Sequence, residues 1–148
     1  MTSSVSLAQL MRLLDEFAPF SAASAWDNSG LQIGDFARPI TGILFCVDCT
    51  EDVVKEAAEK GCECIVSHHP LLFRPLKQVV EQFGAQRVVR QLIRENIALI
   101  STHTNLDYAE YGLCHAMAQK LALYDVQPVL QPGEEDAGYG RWGKIEPM

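Results

Sequence analysis

The sequence predicts an α/β domain built on a largely parallel β-sheet flanked by helices, and three observations predict it. Apolar runs of strand length recur at Ile40 to Val47, Cys62 to Ser67 and Ile97 to Ser101. Stretches of helical periodicity separate them, and each run stops at a polar cluster. Alternation of strand and helix implies βαβ units with right-handed crossovers, which build parallel sheets. A chain of 148 residues fits one such domain, 1–148, with a core of its own.

Each element has a local cause. Ser6 is placed to cap a first helix, with Gln9 completing a capping box and Leu7, Leu10, Met11 and Leu14 on one face. Pro19 ends it. The stretch from Phe20 to Arg38 is loop-rich, and Trp26-Asp27-Asn28-Ser29-Gly30 marks a turn before a short Leu31-Gln32-Ile33-Gly34 piece. The first buried strand ends at Asp48. Thr50 then caps a helix with Glu51 and Asp52 in its first turn, where carboxylates suit the helix dipole. Gly61 closes that helix in the position that wants a left-handed residue.

Gly84 to Asn96 predicts the next helix, striped by Val88, Val89, Leu92 and Ile93. Gly112 to Leu123 predicts the last. Beyond Leu123 the periodicity fades. Gln131-Pro132-Gly133-Glu134-Glu135-Asp136 reads as an exposed turn, and Gly138-Tyr139-Gly140-Arg141-Trp142-Gly143 spaces its glycines too loosely for a phosphate loop.

Composition excludes several classes. Hydrophobic residues make up 48% and charged ones 21%, the balance of a soluble globular chain rather than a disordered one. A net charge of -7 argues against nucleic acid as a partner, although Arg74, Lys77 and Arg87 to Arg94 leave room for a local basic patch. No apolar run is long enough to span a membrane, and no basic region leads an apolar one at the N-terminus. Five cysteines in no framework spacing point to reduced thiols in a cytoplasmic protein. Cys46 and Cys49 have metal-type spacing, yet Cys46 lies in an apolar run, so buried structural thiols are expected.

The chemistry concentrates at strand ends. His68 and His69 leave the second apolar run together, and Ser101-Thr102-His103-Thr104-Asn105-Leu106-Asp107 follows the third. In open α/β sheets ligands gather beyond the carboxyl ends of strands, so these residues and Asp48 are expected on one edge. Neutral imidazole is the commonest protein ligand for transition metals. Adjacent side chains of a strand point apart, so His68 and His69 are expected to serve one ion each of a pair. A carboxylate such as Asp107 would bridge them. His103 and Asp107 are placed in a loop. His103 is expected to face substrate and carry protons rather than ligate.

With these residues the chain resembles the Nif-three-like dinuclear-metal proteins, also labelled GTP cyclohydrolase I type-two-like. The resemblance rests on Trp26 to Gly34, Ser67-His68-His69-Pro70-Leu71, His103-Thr104-Asn105-Leu106-Asp107 and Gly138 to Gly143, in that order. It implies the N-terminal portion of that fold and two divalent ions held by His68, His69 and Asp107, with zinc, iron, manganese and nickel all suited to such ligands. It implies a ring-shaped homo-hexamer. It also implies a metal-dependent hydrolase acting on a nucleotide or other phosphate-containing small molecule, the purine ring of GTP being the substrate its label carries. Family members complete the centre with a His-x-x-x-Glu pair near the end of a longer chain. No histidine follows His115 here, so Met148 is expected to mark a truncation, a split gene product or a fragment boundary. Cys114 stands where relatives usually have asparagine. A non-catalytic metal-binding regulator or metal-delivery protein is the alternative reading.

Overall fold

The computed structural model describes residues 4–80, 84–130 and 138–146. A central sheet is built from β2 (Gly30–Ile33), β4 (Ile43–Cys46), β5 (Cys64–Ser67) and β6 (Ala98–Ser101), in the order β2-β6-β5-β4. Strands β4, β5 and β6 run parallel, as the alternation predicts, while β2 pairs antiparallel with β6. The register aligns Cys46 with Ser67 and Ser67 with Ser101, and β2 begins at Gly30 opposite Ser101. One edge of the sheet is therefore formed by three strand ends and one strand beginning.

Helices cover both faces of the sheet. Ile65 and Leu99 point into a core with Val54 and Ala57 of α2 (Glu51–Glu59) and Val88 and Leu92 of α3 (Gly84–Arg94). Cys64, Val66, Ala98 and Ile100 point the other way, onto Leu7 and Leu10 of α1 (Leu7–Phe17). This is the period of two expected of a strand. Every residue of β5 and β6 is buried, which is why both read as continuous apolar runs.

Local signals place the helix ends. The Ser6–Gln9 capping box forms, with Gln9 N–H donating to Ser6 Oγ and Ser6 N–H donating to Gln9 Oε1. Thr50 caps α2, and Gly61 takes a φ of 68° after it.

Ile40 to Val47 is not one strand. Pro39–Ile40 forms β3, which pairs antiparallel with β1 (Val5–Ser6), and β4 starts only at Ile43. The break has a distant cause. The Glu63 carboxylate accepts hydrogen bonds from Thr41 N–H, Gly42 N–H and the Thr41 hydroxyl, each at 2.9 Å, and so takes those donors out of the ladder. Burial pushes the Glu63 carboxyl up, but these bonds outweigh it and hold the group at about 2.

The segment expected to be a loop after β6 is instead a short helix, α4 (Thr104–Tyr108), with His103 at its N-cap. It leads to α5 (Leu113–Lys120), shorter than predicted at both ends. Gly112 joins them, and a Cβ there would run into the Leu106 carbonyl. Two strands stand where periodicity fades: β7 (Tyr124–Val129) and β8 (Gly140–Lys144) pair antiparallel, with Val129 opposite Gly140. The turn expected at 131–136 lies outside the described residues.

Candidate metal centre

Four segments meet at the sheet edge formed by the strand ends. His68 and His69 follow β5, where both backbone N–H groups donate to the end of β4, His68 to Cys46 O at 3.0 Å and His69 to Val47 O at 2.9 Å. The strand has ended at Ser67, so the pleat no longer turns neighbouring side chains apart. Their rings lie 5.0 Å apart, and His103 stands edge-on to them at 5.2 and 5.7 Å. One ring nitrogen from each of the three lies within 4.8 Å of the others. The expectation that His68 and His69 diverge is thus corrected: they converge, and His103 joins them.

Each ring is oriented from behind through Nδ1. His68 Nδ1 donates to the Thr102 carbonyl at 3.0 Å, His69 Nδ1 to Asp48 Oδ1 at 2.7 Å, and His103 Nδ1 to Asp27 Oδ1 at 2.9 Å. Carbonyl and carboxylate oxygens only accept, so the ring proton sits on Nδ1 and the neutral ring carries its lone pair on Nε2. Metal-ligating histidines are held in this way, with the second nitrogen fixed by a carboxylate or carbonyl.

Asp27 is the residue that sequence reasoning missed; it read only as part of a turn. Its side chain is fully buried at 0% exposure. Oδ1 accepts from His103 and from Asn28 N–H, and Oδ2 accepts from the Ser29 hydroxyl, Thr104 N–H and the Thr104 hydroxyl. Burial raises its pKa, but these donors outweigh burial and hold the carboxyl well below the usual range. The fold explains its arrival. Because β2 runs antiparallel to its neighbours, the residues just before it reach the edge that the parallel strands reach at their ends.

Asp27 also explains α4. By accepting Thr104 N–H it satisfies a donor of the first turn from outside the helix, so the turn closes without a side-chain cap of its own. With the turn formed, the spacing of His103 and Asp107 puts them on one side, and Asp107 Oδ1 comes 3.8 Å from His68 Nε2. Asn105, fully buried, donates to Ala18 O at 2.7 Å and pins α4 to the end of α1.

The donor set fits a divalent ion. Imidazole nitrogen and carboxylate oxygen bind such ions at about 2.0–2.2 Å, so two ligands of one ion stand at most about 4.4 Å apart. The 3.8 Å between His68 and Asp107 meets that limit. A 4.8 Å envelope for the three rings suits one ion after a slight closing, or two ions about 3.5–4 Å apart. Among the described residues the cysteines form no second cluster of metal-ligating groups. Burial pushes the Cys46 thiol up to about 11, helped by the Asp48 charge, and those of Cys49 and Cys64 to about 12. Cys49 and Cys64 are buried thiols, as an apolar setting predicts, whereas Cys46 is only half-buried.

A mixed α/β sheet with three back-bonded imidazoles and a carboxylate at one edge defines a class of protein, an α/β scaffold that converges polar side chains at its strand ends. The chain belongs to the Duf34/NIF3 (NGG1p interacting factor 3) family, whose model matches residues 5–148. A Staphylococcus aureus protein named GTP cyclohydrolase 1 type 2 homolog is 44% identical over 122 residues, covering 82% of this chain and 33% of its own length. The chain therefore spans about a third of that relative.

Solved structures agree. The crystal structure of Staphylococcus aureus hypothetical protein SA1388 is 42% identical, with a TM-score of 0.82, covering 86% of this chain and 42% of that one. A Bacillus cereus protein related to NIF3 is 31% identical, with a TM-score of 0.82, covering 86% of this chain and 36% of that one. No helix among the described residues is long and apolar enough to cross a membrane.

Proposed function

We propose that the strand-end cluster is a divalent-metal centre and that this chain is the metal-holding part of a hydrolase-like protein. His68, His69 and Asp107 hold the ions, in the roles the family resemblance implies. His103, with the buried Asp27 carboxylate behind it, carries protons beside them. The observation that supports this best is the shared arrangement of the three histidines, each bonded through Nδ1 and each presenting Nε2 as its lone-pair nitrogen.

Divalent ions held there supply Lewis acidity and a lowered water pKa. The chain supplies orientation. Thr102 fixes His68 from the backbone, while Asp48 and Asp27 fix His69 and His103 through their ring Nδ1–H groups. Zinc, iron, manganese and nickel all suit these ligands. The name of the Staphylococcus relatives favours GTP as substrate, with another phosphate-bearing small molecule next. Cytoplasmic residence and a homo-hexameric assembly complete the proposal, both carried by the resemblance alone.

Two ions together want eight or more ligand positions, more than these side chains provide. Titration of the metal-free chain with zinc or manganese is therefore expected to show one weak site and a second weaker still; two tight ions per chain would contradict it. Loss of metal is expected in His69→Ala. His103→Ala is expected to keep the metal and lose turnover of GTP, whereas loss of the metal would reassign His103 as a ligand. One observation favours the second reading, a metal-delivery or regulatory protein: the His69 side chain is 49% exposed, so an ion there exchanges readily. Bound metal without turnover across a phosphate-ester and nucleotide panel would select it.

A further inference from the structure

Beside the metal centre lies a cleft of about 680 Å³ that the proposed chemistry leaves unused. Its walls come from the turn before β2, the Leu72–Leu76 loop and α3, and its apolar lining includes Leu72, Phe73, Leu76, Val89 and Ile93. Trp26 is 64% exposed and Phe73 46% exposed, a large apolar area to leave in water. Trp26 is shared by the two sites. Its ring meets Phe73 edge-on at 6.1 Å in the cleft and meets His103 edge-on at 6.3 Å in the metal centre. Asp27, which orients His103, also lines the cleft.

Each polar side chain of the lining makes hydrogen bonds within the protein. The Asn28 side-chain amide donates to Leu72 O at 2.6 Å, and Gln32 accepts from Leu72 N–H at 2.9 Å while donating to Asn28 O at 2.9 Å. Both Asp27 oxygens accept from neighbouring protein groups. These bonds brace the wall, so the cleft is formed in advance of any ligand. The exposed rings of Trp26 and Phe73 add stacking and apolar contact as means of recognition.

We infer that this cleft binds a flat aromatic ring, and that the ligand's oxyanion head reaches the imidazole cluster across Trp26. The inference rests on the metal reading for the head and on the cleft alone for the ring. An aromatic ring suits the site because the exposed indole and phenyl groups offer π surfaces whose stacking adds to plain burial.

The probes are 1-naphthyl phosphate, inorganic phosphate and 1-naphthol. A Trp142→Phe protein keeps Trp26 as its single indole, the chain having two tryptophans, so indole emission reports the cleft. With zinc present, 1-naphthyl phosphate is expected to quench that emission and to bind about tenfold or more tightly than inorganic phosphate. By calorimetry, Trp26→Ala and Phe73→Ala are each expected to erase the preference and leave zinc per chain unchanged. Equal binding of the two phosphates, or a preference that survives both substitutions, would overturn the inference.

The metal-free protein separates the two readings. Binding of 1-naphthol that requires Trp26, in a chain that takes up no zinc, upholds the ring site and rejects the metal centre. Zinc uptake with no binding of either naphthyl probe rejects the ring site alone. Self-association abolished by Trp26→Ala, with neither naphthyl probe bound, would assign the face to a second copy of the chain and reject the inference.

Discussion

Thr104 gives both its backbone N–H and its hydroxyl proton to one oxygen, Asp27 Oδ2, at 3.1 and 2.5 Å. The same carboxylate accepts a hydrogen bond from the ring N–H of His103, the residue before. A single buried anion therefore starts a helix and sets the tautomer of a neighbouring imidazole.

Asp27→Asn tests that arrangement. An amide keeps one acceptor oxygen but turns an NH2 group toward Thr104, Ser29 or His103, all of which donate. The expected loss in urea unfolding is about 3 kcal/mol, the scale of a buried charge-assisted bond replaced by an unsatisfied donor. A loss below about 1 kcal/mol would show that the anion is dispensable to the fold.

Glu63 makes the fold sensitive to acid. Its pKa is held at about 2 in the native chain by bonds from Thr41 and Gly42, so the unfolded chain binds the proton more readily. Its contribution is therefore present above the ordinary carboxylate pKa and is lost as pH falls toward 2. Glu63→Gln should lower stability at pH 6 and flatten the decline between pH 5 and 2. Parallel pH profiles for the two proteins would exclude Glu63 as the source.

Arg141 ties the last strand to the end of α4. Its guanidinium donates to the carbonyls of Gly138, Gly140, Ala109 and Glu110. In Arg141→Ala, hydrogen exchange should accelerate in β8 and in the Thr104–Tyr108 helix while the amides of β5 and β6 keep their protection. Uniform acceleration would mean that the clamp supports the whole domain instead.

Buried thiols should be inert in the native state. Cys49 and Cys64 are expected to resist iodoacetamide at pH 8 and to react once urea unfolds the chain, because burial keeps both groups protonated. Mass spectrometry of the modified peptides reads this directly, and native labelling of either residue would refute it.

Signals that act within a few residues were legible in the sequence. The Ser6–Gln9 box, the Thr50 cap and the left-handed Gly61 each depend on neighbours one turn away. What escaped reading depends on distant partners. Glu63 divides an apolar run by bonding to Thr41 and Gly42 across the sheet, and Asp27 starts α4 from 77 residues away. A helix of five residues such as α4 has little stability of its own, so no periodicity announces it. Likewise β7 carries Pro128 and exposes four of its six residues, which hides a strand that tertiary pairing stabilises.

At the site, the motifs brought His68, His69, His103 and Asp107 to one edge of the sheet, where the structure also places them. The expected divergence of His68 and His69 failed because it assumed that the pleat continued one residue beyond Ser67.

The reversed direction of β2 has a consequence for dissecting the protein. A fragment beginning at Ile43 would retain all three βαβ strands and every histidine of the cluster. It would nonetheless leave the His103 ring without the anion that orients it and Thr104 without its acceptor. The βαβ units thus carry all three imidazoles and the partners of His68 and His69, while the orientation of His103 belongs to an earlier stretch of chain that enters the sheet backwards.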